Sequence, residues 1–285
     1  MAALSEGEIL RYSRQIILPQ VGGRGQERLK SSRVLVVGAG GLGSPAALYL
    51  AGAGVGTLGV CDYDRVDLTN LQRQIIHETG DLGGMKSASA AQKLFALNPE
   101  IRVVQHPVKL TVSNASEILG GYDLVVDGSD TFASKFLVND GCAFLGVPHV
   151  FAGIQGFEGQ LLTVIPGKGP CYRCFFREPP PEGSVPTCSQ AGILGPVAGV
   201  LGSLQALEAL KVLLGIGETA TGRLLIFDGL NLTFREVKIK RDEKCPACGA
   251  SGPRRELREE GGGLRDADST QGSRGETGPR RACGV

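Results

Sequence analysis

Residues 34–45 read Val-Leu-Val-Val-Gly-Ala-Gly-Gly-Leu-Gly-Ser-Pro, an apolar β-rich run that breaks into a Gly-x-Gly-x-x-Gly turn and then opens a helix. Few folds accept that junction. Gly38 makes the tight exit from the strand, Gly40 and Gly41 let backbone amides approach phosphate oxygens, and Gly43 lets the helix pack against the sheet. Pro45 suits the first helical turn, where no amide donor is needed. The positive end of the helix and its free amides favour an anion. The stretch therefore predicts an α/β sheet with a nucleotide phosphate site beyond this strand. A glycine-rich turn that binds nothing has the same letters, so the nucleotide has to be identified from the rest of the chain.

At 285 residues the chain is long enough for one large α/β domain with a substantial core. Its net charge of +1 gives no electrostatic footprint for nucleic acid or an anionic membrane. The first residues lack a basic, apolar, small-residue leader, which predicts a cytoplasmic protein. Of the eight cysteines, four fall in Cys-x-x-Cys pairs, a pattern that favours metal over disulfides in such a compartment.

In chain order, Ser5-Glu6-Gly7-Glu8 is a capping-box pattern, and Ile9, Tyr12 and Ile16 follow at helical spacing, with Arg11 and Arg14 projecting outward. A second helical piece spans about 25–30. Residues 57–62 read as the second strand, ending in Asp62 roughly 20 residues past the glycines, where nucleotide folds place a carboxylate for ribose hydroxyls. Asp64 follows closely; an Asp62 that only caps the next turn is the plainer alternative. Residues 67–77 pack Asn70, Arg73 and Gln74 into a segment too polar for a core strand. A helix then runs from Lys86 to Leu97, closed by Asn98-Pro99. Lysine at a helix start is unfavourable unless an anion lies between, which makes Lys86 a phosphate candidate or else a solvated charge.

Residues 101–106 form a further strand, and 122–130 a buried parallel strand running out into Asp127 and Asp130, on the same rim as the glycine loop. Hard carboxylates beside polyphosphate suit Mg²⁺. Capping of the helix 131–145 is the competing task for Asp130. Strands at 149–153 and 159–165 precede Cys171-Tyr172-Arg173-Cys174, answered by Cys245-Pro246-Ala247-Cys248. Two such knuckles suit a closed, structural four-thiolate Zn²⁺ that pins the end of the chain to its middle; a redox pair is the alternative. A proline-rich loop carries Cys188. Residues 192–214 are apolar enough to suggest a membrane span, but Gln205, Glu208 and Lys211 share one stripe and mark a buried helix. Strands at 222–228 and 232–239 close a hairpin, and from about 251 the composition predicts a disordered tail to 285.

The set Arg11-Tyr12-Ser13-Arg14-Gln15, the glycine loop, Asp62-x-Asp64, Asn70-Leu71-x-Arg73-Gln74, Lys86, Asp130, both cysteine pairs and residues 202–208 resembles a known family. This is the MoeB, ThiF and HesA group, related to the activating enzymes of the ubiquitin pathway. The resemblance covers about residues 4–250. It implies a Rossmann-like, doubly wound, largely parallel sheet extended by antiparallel C-terminal strands. One adenylation domain over 1–250 would comprise N-terminal helices (4–31), a nucleotide core (32–153) and a zinc, crossover and hairpin region (154–250). It further implies that ATP adenylates the C-terminal Gly-Gly carboxylate of a ubiquitin-like sulfur carrier, MoaD- or ThiS-like, in molybdopterin or thiamine synthesis. A modifier-type carrier for tRNA thiolation is the alternative.

By the same resemblance Asp62 holds the ribose, Asn70, Arg73 and Lys86 the phosphates, and Asp130 Mg²⁺ with Gln74 acting through water, while Asp64 belongs to the same ATP-binding set. Arg14 reaches the ATP of a neighbouring subunit, so the enzyme is a homodimer. Cys188 occupies the position of a loop cysteine that some relatives use covalently and others do not. Larger relatives continue into a rhodanese-like domain; here a polar tail follows, so sulfur would come from a separate donor. Two rivals remain. An NAD-dependent oxidoreductase explains the glycine loop and Asp62 but leaves Arg73, Lys86, Asp130 and the knuckles idle. A silent scaffold would have lost its ATP ligands, and this chain has them.

Overall fold

The computed structural model describes residues 3–181, 192–249 and 257. Strand β1 (Arg33–Val37) lies in the middle of an eight-stranded sheet, and its four apolar residues are buried on both faces. Val34 and Val36 join one core while Leu35 and Val37 join another, the two-residue alternation of a strand covered on both sides. Beside it on one side run β2 (Thr57–Cys61) and β3 (Arg102–His106), and on the other β4 (Leu124–Asp127) and β5 (His149–Gln155), all parallel. Three antiparallel strands extend the sheet: β6 (Glu158–Val164), β7 (Arg223–Asp228) and β8 (Thr233–Lys238). The order is β3-β2-β1-β4-β5-β6-β7-β8, so the winding reverses between β1 and β4. In such sheets ligands bind at that reversal, beyond the carboxyl ends of the strands.

The expected amino-terminal helix is broken in two. Helix α1 (Glu6–Arg11) carries the anticipated capping box between Ser5 and Glu8, but the chain turns at Tyr12 (φ −96°, ψ 10°) before α2 (Ser13–Ile16). The reason is local: Tyr12 is buried and receives a 2.8 Å hydrogen bond from Asn98, which anchors the turn in the core. Arg11 donates to the Leu97 carbonyl rather than standing free. Helix α3 (Gly22–Ser31) is longer than anticipated at both ends. Helices α4 (Gly43–Gly52) and α5 (Lys86–Leu97) follow the glycine loop and the polar segment as expected.

Helix α6 (Val112–Gly120) was not anticipated from the sequence. Its signal was present: Thr111 and Asn114 form a capping box, and Ala115, Ile118 and Leu119 make a buried stripe. Helix α7 (Phe132–Leu145) is capped by Thr131, whose hydroxyl accepts from the Ser134 amide, so Asp130 is not the cap. After the short α8 (Tyr172–Phe175), helix α9 (Gly195–Leu214) begins three residues later than the apolar run, with Leu194 extended and Pro196 in its first turn. Helix α9 is long and apolar enough to cross a membrane, yet half of its apolar window is buried inside the protein, against α4, β5 and β6. Its polar stripe explains why: Gln205 donates to the carbonyls of Asp127 (2.7 Å) and Val150 (3.0 Å), tying β4 to β5. Glu208 accepts from Thr163 and from the Ala220 amide. Cys188 and the expected disordered tail lie outside the described residues, except Leu257, which packs partly buried against the core of Leu35 and Val37.

Candidate active site

The glycine loop leaves β1 at Gly38, whose φ of +86° lies in the left-handed region that glycine tolerates. At Gly43 a side chain is excluded outright, because a Cβ would sit 1.8 Å from the Gly38 carbonyl oxygen. The loop is pinned by side chains. Asp62, at the end of β2 and only 8% exposed, accepts from the Ala39 amide (2.8 Å) through Oδ2 and from the Asp64 amide (2.8 Å) through Oδ1. It thus caps its own turn and also holds the glycine loop. Burial pushes its pKa up. Among the described residues, none accepts a hydrogen bond from the amides of Gly40 or Gly41.

The polar segment 67–77 lies against the loop. A Cβ on Gly40 would be 3.7 Å from Nε2 of Gln74, and one on Gly41 would be 3.5 Å from Cγ of Arg73. Gln74 is buried with its Oε1 unpartnered among the described residues. Arg73 donates to the Thr69 carbonyl (2.9 Å), and Asn70 accepts from the Asp67 amide (3.2 Å) in a short 3₁₀ turn over Leu68–Asn70. Lys86 opens α5 as expected, its buried ammonium paired with Asp64 at 3.0 Å. The Tyr63 phenol is pushed up first by burial and then by the charges of Asp64, Asp130 and Asp62. Asp130 itself is exposed.

Asp127 departs from the expected rim position. It is 1% exposed, and its Oδ1 accepts from the Ser129 amide and hydroxyl (3.0 and 2.6 Å). Its Oδ2 faces inward toward the Lys135 ammonium at 3.8 Å, which donates to the Ala152 carbonyl (2.6 Å). One residue the sequence reading passed over is His77. It is buried, its Nε2 lies 2.9 Å from the Ala39 carbonyl and its Nδ1 2.8 Å from Ser89 Oγ. A histidine inside an otherwise polar loop segment was the available signal. Arg14 stands exposed on α2.

The knuckles do come together across 74 positions. Cys171 Sγ lies 3.6 Å from Cys245 Sγ and Cys174 Sγ 3.4 Å from Cys248 Sγ, and all four sulfurs fall within 4.8 Å of one another. Four thiolates so gathered can hold a tetrahedral metal, whose sulfurs would be about 3.8 Å apart at metal–sulfur bonds of about 2.3 Å. The cluster is docked on α7: Asn139 accepts from the Tyr172 amide (2.9 Å), and Asp140 takes Arg173 in a two-pronged ion pair (2.7–2.9 Å).

A family profile described as the ThiF family matches residues 12–247. This chain belongs to the ThiF family. It is 52% identical over 255 residues to the sulfur carrier protein adenylyltransferase of Thermus thermophilus, covering 88% of this chain and 94% of that one. It is 48% identical to the SAMP-activating enzyme E1 of Haloferax volcanii, over 88% of this chain and 92% of that protein. The probable adenylyltransferase/sulfurtransferase MoeZ of Mycobacterium tuberculosis is 47% identical over 86% of this chain, which spans 64% of MoeZ. Among solved structures, E. coli MccB with ATP has a TM-score of 0.73 at 23% identity over 84% of this chain and 74% of that one, a likeness of fold. As a ThiF-family member with relatives named adenylyltransferase, the chain is a nucleotidyltransferase.

Proposed function

We propose that this chain transfers AMP from ATP to the C-terminal Gly-Gly carboxylate of a ubiquitin-like sulfur carrier protein, of the MoaD or ThiS type. The carboxylate oxygen attacks the α-phosphorus, an acyl–phosphate anhydride forms, the bond to the α–β bridging oxygen breaks, and pyrophosphate leaves. What carries the reading is one rim that gathers the glycine-loop amides, Arg73 beside Gly41, and Lys86 with its Asp64 partner. The high identity to a sulfur carrier protein adenylyltransferase supports it. The reaction asks little covalent chemistry of the protein, so orientation and charge neutralisation supply the rate.

In this proposal the amides of Gly40 and Gly41 and the side chains of Asn70, Arg73 and Lys86 take the phosphates, with Lys86 exchanging its Asp64 partner for phosphate oxygen. Asp62 and Asp64 take the ribose. Asp130, an exposed carboxylate on this rim, would hold Mg²⁺ with Gln74 acting through water, and the ion supplies charge neutralisation to the phosphates. The sulfur spacing suits Zn²⁺, held by Cys171, Cys174, Cys245 and Cys248 as a structural pin.

A second copy of the chain completes the site with Arg14. An exposed groove beside α2, lined by Tyr49, Ala53, Ala206, Leu207 and Leu210, supports that homodimer. Sulfur arrives from a separate donor, and the reaction runs in the cytoplasm. The adenylation unit is residues 1–250, with 251–285 a tail.

Exchange of labelled pyrophosphate into ATP, run with purified MoaD-like, ThiS-like and modifier-type carriers, tests the proposal. Exchange that depends on one carrier and is abolished by Asp130→Ala or Arg73→Ala is the expected result, and the active carrier names the pathway. No exchange with any carrier from folded protein overturns it.

A further inference from the structure

The Ala39 peptide is held at both ends. Asp62 accepts from its amide, and the Nε2 of His77 meets its carbonyl at 2.9 Å. A carbonyl oxygen only accepts, so Nε2 carries the proton. The ring's Nδ1 lies 2.8 Å from Ser89 Oγ. Ser89 stands on α5 three residues after Lys86 and also lies 2.8 Å from Asp81 Oδ2. Asp81 is fixed in turn by the Glu78 amide (2.9 Å) and by Lys93 (3.0 Å). The imidazole therefore cannot turn without breaking a chain of buried contacts that runs from α5 to the glycine loop.

A peptide group is planar and trans, so the carbonyl of Ala39 and the amide N–H of Gly40 point in opposite directions. Drawing the carbonyl toward His77 turns the Gly40 N–H away from the protein interior on that side, and no described residue accepts from it. We propose that His77 is a positioning residue for the triphosphate: it sets the Ala39–Gly40 peptide plane so that the Gly40 amide is presented to a phosphate oxygen before ATP arrives. This rests on the reading of the glycine loop as the ATP phosphate site. Without the imidazole donor, the carbonyl is free to rotate toward solvent and the amide loses its aim. Ser89 and Asp81 supply the rigidity.

The inference separates phosphate recognition from the rest of ATP binding. Calorimetric titration with ATP and, in parallel, with adenosine reads it directly. His77→Phe keeps a ring of similar size and removes the donor; it is expected to weaken ATP by about tenfold, the usual worth of one lost buried hydrogen bond. Adenosine affinity should stay within about twofold of the native protein, and KM for the carrier should not move. His77→Gln, which restores an N–H donor, should recover most of the ATP affinity. Ser89→Ala, a gentler change, should weaken ATP by about threefold and covers the case in which His77→Phe fails to fold. ATP affinity unchanged in the variants, or ATP and adenosine weakened equally, overturns the role of His77 while leaving the site assignment intact. A native protein that binds no ATP overturns both.

Discussion

Arg173 is the most exacting place to test how the cysteine cluster is attached to the nucleotide core. Its guanidinium is completely buried, lies 4.5 Å above the Phe136 ring, takes Asp140 through Nε and Nη2, and donates from Nη1 to the Arg177 carbonyl. Arg173→Ala takes from the Asp140 carboxylate, itself 5% exposed, its two-pronged ion pair with this guanidinium. Breaking one partner of a buried pair costs about 3–5 kcal/mol, most of it the uncompensated charge. For a domain of this size each kcal/mol moves the melting point by about 2–4 °C, so a drop of roughly 6–20 °C is expected.

Replacing both partners, as Arg173→Met with Asp140→Leu, removes the stranded charge and should recover at least half of the loss. The assay is thermal melting followed by fluorescence, with metal content measured on the same samples. A single variant that melts within about 2 °C of the native protein would refute the reasoning, and so would a double variant no better than the single.

Three further outcomes are expected. Gly43→Ala forces a Cβ to 1.8 Å from a backbone oxygen, so the loop must reshape; calorimetry should find ATP binding lost with the sheet's circular dichroism retained. With Zn²⁺ held as proposed, chelation at the cysteine cluster should lower the melting point and expose Cys171 and Cys245, now 1% and 4% exposed, to thiol reagents, and added Zn²⁺ should reverse both. His149 is completely buried, and desolvation pushes its pKa down to about 4. Between that value and about 6.5 the unfolded chain binds a proton that the folded chain refuses, so stability falls as pH falls through this window, by about 1.4 kcal/mol per pH unit. Urea unfolding at pH 7.5 and 5 should show this slope, and His149→Phe should remove its share of it.

How far the sequence could be read depended on how local each cause was. The capping box at Ser5 and Glu8, the helix from Lys86 to Leu97 and the strand into the glycine turn are set by neighbours within a few positions, and all form where anticipated. The break at Tyr12 follows from Asn98, 86 positions away, and could not be heard locally. Helix α6 was legible but quiet, since its capping pair is Thr111 and Asn114 rather than an acid. At the site, Gly38, Gly43, Asp62 and Lys86 were all named from spacing, and the fold gathers them at the reversal between β1 and β4. Asp127 was named too, but packing turned it inward toward Lys135.

The sequence alone determined the type and order of the elements, because periodicity, caps and glycine turns act over one or two turns of chain. It also determined the chemical inventory: four thiols in two pairs, a phosphate-ready loop and acids at strand ends. Only the tertiary structure decided which of these meet. The cysteine pairs meet because the sheet adds β6, β7 and β8 antiparallel and returns the chain to α7. His77 reaches Ala39 across 38 positions while Ser89 of α5, a helix packed on α4, β2 and β3, meets its other ring nitrogen. Such contacts depend on the summed geometry of sheet twist and helix packing, and no short window of sequence carries that sum.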